Sequence, residues 1–139
     1  MSLRILMILS VGLVTVAAAA PAVAAGDPDK GAKIFKKCLA CHRIGPGAAT
    51  LVGPELNGVV GRKAGTLPDY PYSPALKNSG LTWDEPTLTQ YLRAPRALVP
   101  GVRMTFPGLP KDEDIANVIA YLKTFDASGE TVAGPAPAQ

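Results

Sequence analysis

The residues best suited to chemistry are two cysteines and one histidine, the only residues of their kinds in the 139-residue chain. They stand together as Cys38-Leu39-Ala40-Cys41-His42. Two thiols about one helical turn apart can add to the two vinyl groups along one side of a porphyrin, while the imidazole that follows turns toward the iron. This pattern is typical of covalent haem c attachment. Cys38 and Cys41 are therefore candidate attachment sites, and His42 is a candidate iron ligand.

Other kinds of site use the same residue types. A thioredoxin-like dithiol opens a helix after a strand, whereas this pair ends a predicted helix. A structural zinc site needs four ligands, more than two cysteines and a single histidine supply. A disulfide between Cys38 and Cys41 stays open as an alternative for an exported protein, although it leaves His42 without a role.

Met104 is the candidate for the other axial position of a haem iron. The remaining methionines, Met1 and Met7, lie in an N-terminal segment that we expect to be removed. A lone methionine ordinarily fills a core, and that is the alternative for Met104. Its surroundings, residues 96–110, contain three prolines and two glycines, which predicts a loop able to bend over the ring.

Residues 1–25 have the order of a secretory signal peptide. Arg4 precedes a largely apolar run, and a stretch rich in alanine follows. A transmembrane anchor is the alternative, but it needs about 20 apolar residues, and Pro21 arrives too early. We predict that the segment is a signal peptide, removed by cleavage after Ala24 or Ala25, which directs the protein to the periplasm.

The helices that position these residues are marked by caps and prolines. Asp27 can cap a helix that has Pro28 at its first position. A later helix, capped by Asp84, must end before Pro95 because proline disfavours helical geometry in the preceding residue. The strongest helix covers about 111–125, with acidic residues at its beginning and an apolar stripe along one face.

The rest of the chain predicts loops and a single domain. Residues 43–74 are dense in glycine and proline, with room for at most a short helix around 55–60. No alternating segment indicates a sheet. The length fits one domain, which we place at 26–126, and the tail 127–139 is expected to be disordered. The prediction is an all-α fold of four to five short helices and long loops wrapped around one haem.

The charge balance bears on binding partners. The formal net charge is +3 and includes Arg4. Without an arginine-rich or aromatic-interleaved segment, nucleic acid binding has no support. Basic residues flank the haem-bearing segments and could steer docking to acidic partners, the alternative being a merely solvated surface. They are Lys33, Lys36, Lys37, Arg43, Arg96, Arg103 and Lys111.

With these residues in place, the chain closely resembles the mitochondrial-like class I cytochromes c, including the periplasmic electron carriers of bacteria. The resemblance runs from residue 31 to residue 123, and its motifs are specific in combination. They are Gly31 and Phe35 before the cysteine pair, Val52-Gly53-Pro54-x-Leu56, Gly61-Arg62-Lys63, Trp83, Tyr91-Leu92-x-x-Pro95, Pro100-Gly101-x-x-Met104-x-Phe106 and Ile119-Ala120-Tyr121-Leu122-Lys123.

The resemblance implies the small cytochrome c fold and three supporting contacts. The first helix would cross the last one, with Gly31 permitting their close approach. The carbonyl of Pro54 would accept the N–H of His42 and fix the imidazole. Tyr91 would hydrogen-bond the sulfur of Met104.

The resemblance also implies that Arg62, Tyr72 and Trp83 hold the haem propionates and offset the cost of burying their charges. Plain core packing is the alternative for the aromatic side chains. Two positions depart from the family. Leu76 lies where an asparagine is usual beside the haem, and Val102 replaces a threonine whose hydroxyl contacts a propionate or a buried water.

The function implied is that of a soluble periplasmic electron carrier, not an enzyme, with one covalently attached haem c per chain. It would shuttle single electrons between respiratory or photosynthetic complexes by outer-sphere transfer through the haem edge. Expected partners are a membrane quinol-oxidising complex, a terminal oxidase or reaction centre, or a periplasmic dehydrogenase, and the chain would be a monomer without a membrane anchor.

Two other functions compete with that of a carrier. A peroxidase or gas-activating haem protein would need a labile or missing sixth ligand, and Met104 argues against it. A secreted module without haem would join the two cysteines in a disulfide, and its lack of colour would distinguish it.

Overall fold

The computed structural model describes residues 25–132, which form short helices joined by long loops. The predicted signal peptide, apart from Ala25, and the tail from residue 133 onward lie outside the described residues. No strand is present in the described part, only isolated bridges between Lys63 and Thr82 and between Phe125 and Thr131. The all-α prediction is confirmed. The helices are α1 (Pro28–Phe35), α2 (Pro74–Lys77), α3 (Glu85–Arg93), α4 (Pro95–Leu98) and α5 (Asp112–Leu122).

The predicted helix starts are confirmed at α1 and α3. The Asp27 side chain accepts hydrogen bonds from the backbone N–H groups of Asp29 at 2.9 Å and Lys30 at 3.2 Å. The Asp84 carboxylate accepts from Thr87 N–H at 2.8 Å. Each cap satisfies donors that lack a partner in the first turn of a helix.

Two short helices differ from the sequence predictions. Pro95 ends α3, as expected, but it also begins α4, within the stretch predicted as a loop. Proline is well suited to a first helical position, where its missing N–H costs nothing. The short helix allowed around 55–60 is absent, and that segment forms turns. A helical turn occurs instead at α2, where the Ser73 hydroxyl accepts from Leu76 N–H at 3.2 Å.

The crossing of α1 and α5 is the main helix contact. A Cβ atom on Gly31 would lie 2.0 Å from the carbonyl oxygen of Asn117, so only glycine lets the two backbones come this close. The rings of Phe35 and Tyr121 meet at the same crossing, with centroids 5.3 Å apart. Asn117 also accepts the backbone N–H of Asp27 at 2.7 Å. The start of α1 is thereby fixed against α5.

The ordered chain extends past residue 126. Asp126 N–H donates to Glu130 O at 3.0 Å, and Val132 N–H donates to Thr124 O at 2.8 Å. Residues 129–132, which the sequence places in a disordered tail, thus pair their backbone groups with Thr124 and Asp126, just beyond the end of α5. Across residues 25–132, no helix has the length and apolar character needed to cross a bilayer.

Candidate cofactor site

A cavity of about 640 Å³ lies among α1, α3, α5 and the loops between them. Most of its lining side chains are apolar. The sequence-predicted residues Cys38, Cys41, His42 and Met104 all line it. The fold thus brings two distant chain segments, which the sequence separates by about 60 residues, to one concave site of ligand-binding size.

His42 is held by the segment that faces it. Its Nδ1 lies 2.7 Å from the carbonyl oxygen of Pro54, and because a carbonyl only accepts, Nδ1 carries the proton and Nε2 keeps its lone pair. Gly53 lies directly against the ring, since a Cβ there would be 2.5 Å from His42 Cε1. Burial lowers the pKa of His42, and the hydrogen bond to Pro54 opposes that effect. The imidazole is therefore neutral and oriented, as a metal ligand must be.

The two cysteines occupy the turn that follows α1. Cys41 and His42 both donate backbone N–H groups to Cys38 O, at 3.0 Å and 2.9 Å. Both thiols are free and half-buried. Burial, and secondarily the neighbouring Cys41, raises the pKa of the Cys38 thiol to about 11, while Lys37 opposes the shift. The environment favours a neutral sulfur, whether thiol or thioether, over a thiolate.

Met104 enters from the loop between α4 and α5. Tyr91 on α3 donates its hydroxyl to Met104 Sδ at 3.5 Å. Burial raises the pKa of Tyr91 to about 12, so the phenol stays a donor at neutral pH. The Tyr91 ring packs on Trp83 with centroids 4.7 Å apart. Arg103, the residue before Met104, donates through Nη1 to Pro71 O at 3.3 Å, and because both residues line the cavity, this bond ties the loop across its rim.

The residues expected to hold propionates also line the cavity. They are Arg62, Tyr72 and Trp83. Burial raises the pKa of Tyr72, and the nearby Arg62 charge opposes the increase. Glu55, which the sequence reasoning missed, lies 3.6 Å from Arg62 Nη1 through its Oε1 atom. The sequence did contain a signal that could have pointed to Glu55, because it is the single acidic residue between positions 43 and 65.

The site as a whole fits a covalently held haem. It offers two sulfurs for attachment, an imidazole with a free Nε2 and a thioether, all in one apolar cavity. Leu76 and Val102, the two positions that depart from the family pattern, are each 8% exposed and line the same cavity. They extend its apolar surface. Elsewhere in residues 25–132, no cluster of three or more His, Cys, Asp or Glu side chains forms a competing metal site.

Comparison with known proteins agrees with a site for covalently bound haem. The Cytochrome c family model matches residues 28–126. Cytochrome c2 of Rhodoblastus acidophilus is 60% identical over 105 residues, covering 76% of this chain and 98% of the relative. The structure of cytochrome cH from Methylobacterium extorquens aligns with a TM-score of 0.67 at 48% identity, over 71% of this chain and 99% of that one. Cytochrome c2 from Rhodospirillum centenum aligns with a TM-score of 0.70 at 40% identity, over 73% and 99%.

Proposed function

The chain belongs to the cytochrome c family of electron-transfer proteins with covalently bound haem c, and we propose that it is a soluble periplasmic carrier of single electrons. It would move them between respiratory or photosynthetic redox complexes. The proposal rests on the cavity that brings Cys38, Cys41, His42 and Met104 together. Bound haem supplies a one-electron iron couple that exchanges electrons by outer-sphere transfer through the haem edge.

The chain's own residues prepare the site for that chemistry. Cys38 and Cys41 would hold the ring through thioether bonds, and His42 and Met104 would bind its iron. With both side chains bound to the iron, no position would be left for a substrate, which favours electron transfer over peroxidase chemistry. The contact of Pro54 with His42 fixes the imidazole. A thioether ligand in an apolar cavity stabilises the reduced state relative to bis-imidazole ligation.

Arg62, Tyr72 and Trp83 are proposed to hold the haem propionates. Arg62 offers charge, while Tyr72 and Trp83 offer an O–H and an indole N–H. All three side chains line the cavity. Anionic groups buried there would otherwise lose the solvation that water gives them.

Docking is proposed to use the basic residues predicted from the sequence. All of them are exposed, and none forms an ion pair with a carboxylate within residues 25–132. Lys37 and Arg103 also line the cavity, so the positive surface reaches its rim. Such charge would attract acidic surfaces of a membrane quinol-oxidising complex, a terminal oxidase, a reaction centre or a periplasmic dehydrogenase.

The periplasmic location rests on the predicted signal peptide at residues 1–25. N-terminal sequencing of the protein recovered from the periplasm is expected to begin at Ala25 or Gly26. A mature protein that retains Met1 would contradict this part of the proposal.

The carrier function is tested by the rate of electron transfer to an isolated partner complex at increasing salt. We expect the second-order rate constant to fall steeply, because charges farther apart than about 8 Å are screened at physiological ionic strength. Lys37→Gln should lower the rate at low salt, whereas Lys77→Gln, an exposed lysine outside the proposed surface, should leave it near that of the wild type. A rate indifferent to salt and to Lys37→Gln would contradict docking through basic residues.

A further inference from the structure

Glu55 is an acidic residue next to Arg62, a positively charged residue of the cavity wall. Its side chain is only 16% exposed. One carboxylate oxygen accepts Asn57 N–H at 2.6 Å, and the other lies 3.6 Å from Arg62 Nη1. Arg62 lines the cavity, whereas Glu55 is outside its lining. The charge that Arg62 presents to the cavity therefore has a close negative neighbour.

The arginine is held in this arrangement by backbone groups as well. Arg62 Nη1 donates to Asn57 O at 3.0 Å, and Nη2 donates to Glu55 O at 3.3 Å. With the Arg62 side chain 20% exposed, the pair is screened by water far less than a surface pair is. The Lys30–Glu113 pair is a useful contrast, because its side chains are 57% and 72% exposed.

Tyr72 is a second indication that both charges are felt at the cavity wall. Burial is the main cause that raises the pKa of its phenol. The Arg62 charge opposes that increase, and the Glu55 charge adds to it. Tyr72 lines the cavity, so the two charges act with opposite sign on a group that belongs to the site.

We propose that Glu55 is the counter-charge of Arg62 at the cofactor cavity, and that its negative charge lowers the midpoint potential of the bound iron by offsetting the positive charge of Arg62. This inference rests on the proposed function, because it assumes haem in this cavity. A nearby positive charge stabilises the reduced iron, and a nearby negative charge stabilises the oxidised iron. Within the pair the two effects largely cancel.

The test is a set of charge-deleting variants of the haem-loaded protein, measured by spectroelectrochemical titration. Glu55→Gln keeps the shape of the side chain and should raise the midpoint potential. The redox equilibrium should move about three- to tenfold toward the reduced state, where tenfold corresponds to ~59 mV for one electron. Arg62→Gln should lower the potential by a similar factor. The double variant should return to within about twofold of the wild type, because its net charge is restored.

A merely structural role predicts a different pattern. Both single variants would then shift the potential in the same direction, and the double variant would be no closer to the wild type. That outcome would overturn the proposal. Glu113→Gln is the matched control, since it deletes the same charge at an exposed surface pair and should leave the potential unchanged. A Glu55→Gln shift no larger than that of Glu113→Gln would also overturn the proposal.

If Glu55→Gln does not acquire haem, Glu55→Asp decides, because it retains the charge in a shorter side chain. A potential close to that of the wild type supports the charge argument, and a potential shifted as far as in Arg62→Gln, in either direction, contradicts it. The measurement needs no partner complex. Failure of this inference therefore leaves electron shuttling untouched, whereas a wild-type protein without a reversible one-electron couple would contradict the proposed function itself.

Discussion

Replacing Gly31 by alanine should separate the two helices that frame the site. The added Cβ would lie 2.0 Å from Asn117 O and 2.7 Å from Tyr121 Cβ. Neither partner can turn away, because one is backbone and the other is attached directly to it. The crossing of α1 and α5 must then open by roughly 1.5 Å to restore ordinary contact distances.

Two effects of opposite sign decide how Gly31→Ala changes the free energy of unfolding. Alanine is a better helix former than glycine by about 1 kcal/mol, so propensity alone predicts a more stable protein. Overpacking a well-packed contact costs typically about 1–3 kcal/mol. The opened crossing also loosens Ile115 and Val118, each 1% exposed. Because the clash involves rigid backbone, we expect the packing cost to lie in the upper part of this range and to win, with a net loss of about 1–2 kcal/mol in the free energy of unfolding.

The assay is guanidinium unfolding of the haem-loaded protein, followed by far-UV circular dichroism. Lys33→Ala is the control, since it makes an alanine at an exposed position of the same helix and should change stability by less than about 0.5 kcal/mol. A Gly31→Ala variant as stable as the wild type, or more stable, would refute the close-approach argument.

Further predictions concern attachment and the Met104 contact. Haem should survive acidified organic extraction of the wild type and be extracted from a Cys38→Ala/Cys41→Ala variant; haem lost from the wild type would refute thioether attachment. Because burial raises the pKa of Tyr91 from 10 to about 12, its contribution to stability is complete below pH 10 and is lost as pH rises through 12. In denaturant unfolding, Tyr91→Phe should lose less stability between pH 10 and pH 12 than the wild type does. Equal losses of stability in the two proteins would contradict a buried phenol at position 91. The same variant should have a lower midpoint potential, because Met104 loses a hydrogen bond that draws electron density from its sulfur; an unchanged potential would show that the contact is not functional.

Local signals in the sequence were sufficient for the main helices. A capping aspartate acts through the N–H groups of the next three residues, so Asp27 and Asp84 mark helix starts without knowledge of the fold. Pro95 marked the end of α3 by an equally local effect, because proline disfavours helical geometry in the residue before it. Its second role, as the first residue of α4, was missed because a proline is equally compatible with a helix start and with a loop.

Features that depend on distant contacts were harder to predict. Residues 127–132 are ordered by backbone pairing with Thr124 and its neighbours, and composition alone carries no information about that pairing. Glu55 meets Arg62 only because an irregular loop folds back on itself. No periodic pattern links the two positions. The convergence of His42 and Met104 was inferred from their chemistry and from resemblance to a family.

The most direct test of the account is carbon monoxide binding by the reduced protein at neutral pH. If His42 and Met104 both ligate the iron, the wild type should bind carbon monoxide very slowly or not at all. Met104→Ala should bind it rapidly, because it keeps covalent attachment and loses one axial ligand, with a lower midpoint potential as a second sign. Rapid binding by the wild type would show that Met104 is not a firm ligand and would contradict the assignment of this chain as an electron carrier.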